Sequence, residues 1–174
     1  DEHFAIRACI PGAASIDVID CSGTKIRSLD SWQGTHFFHG VIFAEQFSSY
    51  TLLVTDDYGT RTLEDPYRFG ASISESDLYL FAEGTNDRSY NFLGAHLMTL
   101  DGVEGTRFAV WAPNAKTVSV VGDFNYWDGR CHLMRKHIPE GVWEIFIPGV
   151  GSGSCYKFEL HDRDGHLLPH KADP

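Results

Sequence analysis

The sequence predicts an all-β fold, with two β-sandwiches in tandem joined by a short helical linker. Two observations carry that expectation. Apolar and polar residues alternate with period two in one short run after another, and the opening part of the chain reappears in the same order at an offset of roughly 102 to 108 residues. A stretch between the two copies breaks the alternation.

In chain order, "FAIRACIPGAASIDVI" at 4–19 opens on Phe-Ala and an aliphatic residue, turns at Pro11, and ends with Ile16 and Val18 alternating against polar neighbours. "YTLLVTDDYGTRTLEDP" at 50–66 is a Tyr-led strand, an acidic turn closed by Gly59, a second extended run, and Asp-Pro. "SISESDLYLFAEG" at 72–84 reads as a short helix: Ser74 as its cap, acids in the first turn, an apolar run, and Gly84 as the stop. "NDRSYNFLGAHLMTLDG" at 86–102 shows little regular pattern. Beyond it, "RFAVWA", "TVSVV", "VWEIFI" and "CYKFEL" are short strands rich in β-branched and aromatic residues, bounded by Gly, Pro, Asn or Asp. In "TVSVV", Val118 and Val120 point one way while Thr117 and Ser119 point the other. Trp111 and Trp143 fall inside strands and read as packing residues.

The repeat assigns these strands to two copies of one immunoglobulin-like sandwich. "FAVWAPNAKTVSVV" at 108–121 echoes 4–19, with Pro113 matching Pro11, and Val118 and Val120 matching Ile16 and Val18. "YKFELHDRDGHLLPHKADP" at 156–174 echoes 50–66, both closing on Asp-Pro. The expected boundaries are a first sandwich over 1–68, a linker with the helix over 69–103, and a second sandwich over 104–174. The lack of an initiating Met, and an end at "HKADP" where the pattern has not closed, point to a piece of a longer chain whose second sandwich is cut short.

Composition narrows the function. Across 174 residues, 43% hydrophobic content suffices for packed cores, while a formal net charge of −10 repels phosphate backbones and argues against nucleic acid. No apolar run is long enough to cross a bilayer, and "DEHFAIRACI" lacks the basic end and apolar core of a signal peptide, so no membrane partner and a soluble, cytoplasmic protein are expected. Cys9, Cys21, Cys131 and Cys155 are widely spaced with no C-x-x-C pair, so they read as free thiols, and no metal or cofactor is expected.

The copies differ where a strand ends. After "SIDVI" the first copy continues "DCSGTKIRSLD", which has no aromatic residue, whereas the second continues "GDFNYWDGR" at 122–130. Gly122 and Asp128-Gly129 are expected to supply positive-φ positions, reversing the chain while Trp127 stays at the rim. An indole plane matches the C–H face of a pyranose ring. Burying about 100 Å² there at roughly 25 cal/mol per Å² contributes about 2.5 kcal/mol. Against the cost of association, one such platform gives a Kd near ~1 mM, so retention needs multivalent contact with a polymer. Alternation in "CYKFEL" turns Tyr156, Phe158 and Leu160 inward and Lys157, Glu159 and His161 outward, and Lys157 is a good donor to sugar hydroxyls. Asn125 and Tyr126 share the turn with Trp127, so the candidate carbohydrate-binding set is Trp127, Lys157, Asn125, Tyr126 and Glu159. The competing reading of Trp127 is a plug folded back over the sandwich end.

The run from "GTRFAVWAPNAKTVSVVGDFNYWDGR" through "GVWEIFIPG" and "CYKFELHDRDGHLLPHKADP" resembles the glycogen-binding-type carbohydrate-binding module that precedes the catalytic barrel in bacterial 1,4-alpha-glucan (glycogen) branching enzymes. "EDPYRFG", "LFAEGT" and "LGAH" match that enzyme type in order, so the resemblance covers essentially the whole chain. It implies that residues from about 104 onward form the module and that 1 to about 68 form the additional N-terminal sandwich of the longer bacterial enzymes. In related glycogen-binding domains, including that on the beta subunit of the AMP-activated kinase, the tryptophan of an "FNxW" turn and the lysine of a "YKF" strand contact the glucan. These fall on Trp127 and Lys157. The second tryptophan of that kinase domain follows a "DG" turn, where this chain has His166 and Leu167. The module also resembles those of isoamylases and trehalohydrolases.

The enzymes resembled cleave an alpha-1,4 linkage and make an alpha-1,6 branch with two carboxylates on an (α/β)₈ barrel, none of which this sequence contains. No catalytic residue is expected here, and Asp123, Asp128, Asp162 and Asp164 read as turn formers. The functional expectation is a non-catalytic module that binds alpha-1,4-glucan, as glycogen or maltooligosaccharide, and positions it for the C-terminal catalytic barrel. The alternative is a docking domain that orients that barrel and sets transferred chain length, with little sugar affinity of its own.

Overall fold

A computed structural model describes residues 3–43 and 50–173; Pro174, which closes the repeat, lies outside them. The chain divides into two compact units, one up to Asp65 and one from Pro66 onward. Among the described residues no helix is long and apolar enough to cross a membrane.

Unit 1 contains β1 (His3–Cys9), β2 (Ala13–Asp20), β3 (Lys25–Ser28), β4 (Asp30–Ser31), β5 (Phe37–Phe43), β6 (Tyr50–Asp56) and β7 (Gly59–Leu63). They form sheets ordered β1-β5-β4 and β3-β2-β6-β7, with every pairing antiparallel. The alternation read in the sequence turns Ile6 and Ala8 of β1, Ile16 and Val18 of β2, and Leu52 and Val54 of β6 into one buried cluster with Phe38 and Ile42. Tyr50 is buried in that cluster, and its hydroxyl donates to Asp65 Oδ2 at 2.6 Å, as a buried phenol requires.

Unit 2 contains α1 (Glu75–Ala82), β8 (Gly94–Leu100), β9 (Val103–Trp111), β10 (Thr117–Gly122), β11 (Arg135–His137), β12 (Val142–Pro148) and β13 (Tyr156–His161). One sheet runs β11-β12-β9-β8; β10 pairs with β13 and is bridged on its other edge at Ser119 to Leu133. Phe108, Val118, Val120, Trp143, Ile145 and Phe158 fill the space between.

The repeat is visible in the strand register. Ile16, Val18 and Asp20 face Val54, Leu52 and Tyr50 in unit 1; Val118, Val120 and Gly122 face Leu160, Phe158 and Tyr156 in unit 2. A one-residue slip would turn every core side chain outward, so the shared register reflects a shared core pattern.

The stretch read as a linker, 69–103, packs with unit 2. Helix α1 begins where expected, with the Ser74 side chain accepting from Asp77 N at 3.1 Å, and Gly84 (φ 73°) follows its end. Its Leu78 joins Ile73 and Phe92 against Ala109 and Val142, on the face of the sheet away from the main core. Residues 94–100, expected to be irregular, form a strand paired with β9. Glu144 on that same face is buried and accepts from Ser72 N at 2.6 Å, Ser72 Oγ at 2.6 Å and Ile73 N at 3.3 Å, with His137 Nε2 at 2.6 Å. Burial opposes its ionisation, but those hydrogen bonds and His137 outweigh it and hold the carboxyl below its usual range.

The two strand tryptophans differ. Trp143 is buried and donates from Nε1 to Ala112 O at 2.9 Å, as a packing residue should. Trp111, expected to pack likewise, is 56% exposed at the end of β9, donates to Glu140 O at 3.2 Å, and meets Phe81 in a T-shaped contact.

Candidate functional site

At the end of β10 the chain enters a one-turn 3-10 segment, Asp123–Asn125, and then places two aromatic residues in left-handed backbone: Tyr126 at φ 55° and Trp127 at φ 61°. This corrects the sequence expectation. Gly122 has an extended φ of −174° and Gly129 does not have a positive φ; at Gly122 the backbone leaves no room for a side chain, while at Gly129 the Glu159 carboxylate occupies that space. A Cβ on Gly122 would overlap the Cys155 carbonyl and the Phe124 ring, and one on Gly129 would overlap the Glu159 carboxylate.

Left-handed backbone costs a non-glycine residue about 1–2 kcal/mol, so two in succession need a frame that fixes them. Asn125 is that frame. Its side chain is buried; Oδ1 accepts from Gly122 N at 2.9 Å, and Nδ2 donates to Val120 O at 2.8 Å and towards His132 Nδ1 at 2.8 Å. With its oxygen and both amide hydrogens engaged within the turn, Asn125 holds the backbone that carries Trp127. An amide nitrogen can only donate, so His132 Nδ1 accepts and the ring is neutral. Burial pushes His132 down to about 4, in agreement. The turn is completed by Trp127 N donating to Gly122 O and Asp128 N to Asn125 O, both at 3.0 Å.

The remaining candidates surround this frame. The Trp127 indole is 39% exposed and its Nε1 donates to Asp123 Oδ1 at 2.9 Å, so the ring is pinned by one edge with part of its surface open to solvent. Tyr126 is 94% exposed. Lys157 is exposed on β13 and faces Val121 across the strand pair, next to the Gly122 carbonyl that holds Trp127. Glu159 lies against Gly129, with His170 Nε2 at 3.3 Å from its Oε2. Trp127 and Tyr126 thus stand on the turn itself, Glu159 lies against Gly129 of that turn, and Lys157 sits on β13 opposite Val121, one residue before the turn's first glycine. Three contributors escaped the sequence reading: Asp123, read only as a turn former, plus His132 and His170. An Asp four residues before a Trp was the available signal for the first; the histidines had none.

Leu167, where the related kinase domain has its second tryptophan, is exposed and bridges to His161. Asp162 accepts from the backbone of Asp164 at 2.9 Å and His166 at 2.8 Å, a turn-forming role, while Asp128 accepts from Arg130. Asp162, Asp164 and His166 bring one ligating atom each within 4.8 Å of one another on this exposed turn.

Residues 1–67 match the family described as alpha-1,4-glucan branching enzyme GlgB, N-terminal domain, and residues 92–174 match carbohydrate-binding module 48 (isoamylase N-terminal domain). Among curated proteins, the 1,4-alpha-glucan branching enzyme GlgB of Saccharophagus degradans is 49% identical over 176 residues, covering 98% of this chain and 24% of that protein. The protein of the same name from Rubrobacter xylanophilus is 52% identical over 170 residues, covering 97% of this chain and 23% of its own length. The chain therefore spans about a quarter of the length of these relatives. Among solved structures, an Anoxybacillus pullulanase aligns with 99% of this chain and 24% of its own at 20% identity and a TM-score of 0.37, too low a score to carry an argument.

Proposed function

We propose, from the match of residues 1–67 to the GlgB N-terminal domain and of residues 92–174 to carbohydrate-binding module 48, that the chain binds alpha-1,4-glucan on the Trp127 turn and presents it to the catalytic part of a 1,4-alpha-glucan branching enzyme. The observation that carries this reading is the backbone at Tyr126 and Trp127. Two aromatic residues are held in a costly conformation by a buried amide, and the outcome is an indole pinned at the surface. A residue serving only the core would need no such frame. Lys157 and Glu159 supply a donor and an acceptor for the hydroxyls that flank a stacked ring. The reaction belongs to the rest of such an enzyme, this chain's role in it is non-catalytic, and the reading places it in the cytoplasm.

The experiment is a titration of maltoheptaose into the chain, followed by amide and indole chemical shifts, for the wild type and Trp127→Ala. Saturable shifts around 120–130 with a Kd of ~1 mM, lost in the variant, are expected for a single platform. A folded wild type whose signals do not move overturns the proposal.

A second reading draws on one further observation. Tyr79, Tyr90, Leu97 and Trp111 of unit 2 are all exposed, which suits docking against a catalytic barrel. If that is their role, Leu97→Asp leaves maltoheptaose affinity unchanged and lowers the branching activity of the whole enzyme.

A further inference from the structure

Unit 1 lacks the aromatic turn but carries an exposed tryptophan of its own. Trp32 opens the hairpin between β4 and β5. Its N–H donates to Phe37 O at 2.9 Å, and its carbonyl accepts from Thr35 N at 3.0 Å and Thr35 Oγ1 at 2.8 Å. Gly34, at φ 77°, turns the chain between them. Both backbone polar groups of Trp32 are thereby engaged, yet the indole is 63% exposed and meets His39 edge-on, with ring centroids 6.0 Å apart.

The indole borders a groove of about 260 Å³ on the outer face of the β1-β5-β4 sheet, lined by Ala5, Arg7, Trp32, Phe37, His39 and Val41. The volume sits just below the roughly 300 Å³ at which pockets for larger ligands begin, so it suits one or two small rings. Cross-strand register sets the chemistry. Arg7 on β1 lies opposite His39 on β5 and both line the groove with Trp32, so the row offers a guanidinium and an imidazole beside the indole; Asp30 on β4, also opposite His39, lies outside that lining and pairs with Arg27 at 3.7 Å. A wholly apolar occupant would strip water from Arg7 and His39 without replacing it. A polyanion would meet a chain of net charge −10. A neutral polyhydroxylated ring satisfies both sets of groups: its C–H face covers the indole and Val41, and its hydroxyls meet the polar row.

We infer that this groove is a second alpha-glucan contact, separate from the Trp127 turn and taking a glucosyl ring of the same polymer. The inference rests on the reading of unit 2 as a glucan-binding module, which supplies the ligand.

The test uses the whole chain, with maltoheptaose added to roughly tenfold the ~1 mM Kd of one platform. The Trp32 indole and His39 amide signals are expected to shift saturably, to keep shifting in Trp127→Ala, and to stop in Trp32→Ala. Arg7→Gln, a change on an exposed strand face, is expected to weaken that response at least threefold, which guards against misfolding of the tryptophan variant. If the Trp127 turn responds while Trp32 and His39 do not, the inference fails and the function proposed for unit 2 stands. If the Trp32 response disappears in Trp127→Ala, the groove is not an independent site and the inference also fails. Silence at both places overturns both.

Discussion

At the same point in the strand register the two units take different paths. In unit 1, β2 ends at Asp20, whose carboxylate accepts from the backbone of Ser22 at 2.8 Å and Thr24 at 2.9 Å and closes a polar hairpin into β3. In unit 2, β10 ends at Gly122, where a side chain has no room, and the chain passes into the turn framed by Asn125. The β2·β6 and β10·β13 pairs keep the same register up to these points, although β2 sits in a four-stranded sheet and β10 in a two-stranded one, so the strand pair is common to both and the chemistry lies in the connection. What separates the two connections is the burial of the holding group: a partly exposed carboxylate in the first, a buried amide beside a half-buried, neutral histidine in the second.

That contrast is sharpest at Asn125. Asn125→Ala leaves Gly122 N, Val120 O and His132 without their partner and should cost about 3 kcal/mol, measured by urea unfolding, with loss of maltoheptaose binding. Asp20→Ala, at the end of the equivalent strand, should cost clearly less and leave sugar binding untouched.

Acid should separate the units in the same sense. The folded pKa of His132 lies near 4, below its unfolded value of 6.5, so the unfolded chain takes up the proton first. Its contribution, on the order of 3 kcal/mol, is complete above pH 6.5 and is lost as pH falls from there towards 4. Protection factors of the 120–132 amides, with the intrinsic pH dependence of exchange divided out, are expected to fall across that window more than those of the 16–24 amides.

Gly122→Ala would break the comparison by giving unit 2 a side chain where unit 1 has one. The overlap falls on the Cys155 backbone, which cannot step aside, so a loss of about 2 kcal/mol is expected by thermal unfolding. The smallest effect is expected at Lys157, exposed on its strand. Lys157→Met should weaken maltoheptaose a few-fold, a change of about 1 kcal/mol or less, without altering stability.

Much of this was legible in the sequence because the strands are one-sided. Ile16, Val18, Val118 and Val120 announce both the alternation and the repeat, and Ser74 marks the helix start. β8 was not legible, since it alternates in exposure and not in hydropathy: Leu97 faces solvent while His96 is half-buried. The aromatic content of the turn is legible from residue type, but its backbone is not. Glycine's local freedom pointed to Gly122 and Gly129, whereas the buried Asn125 amide overrides local preference and places Tyr126 and Trp127 there instead. Trp111 was assigned to the interior by its strand alone, and the strand end releases it. Trp32 carries no signal in the repeat, because it lies in the β4–β5 connection and not at the turn equivalent to 122–130.

The bond from Trp127 Nε1 to Asp123 has a bearing on selectivity. With that N–H engaged, the indole has no donor left for a sugar hydroxyl and offers only its flat face. Such a surface is blind to the stereochemistry of individual hydroxyls and would accept a ring from many hexose polymers. On the proposed function, discrimination among linkages would then fall to Lys157 and Glu159 on β13 and to the curvature with which a helical chain meets them.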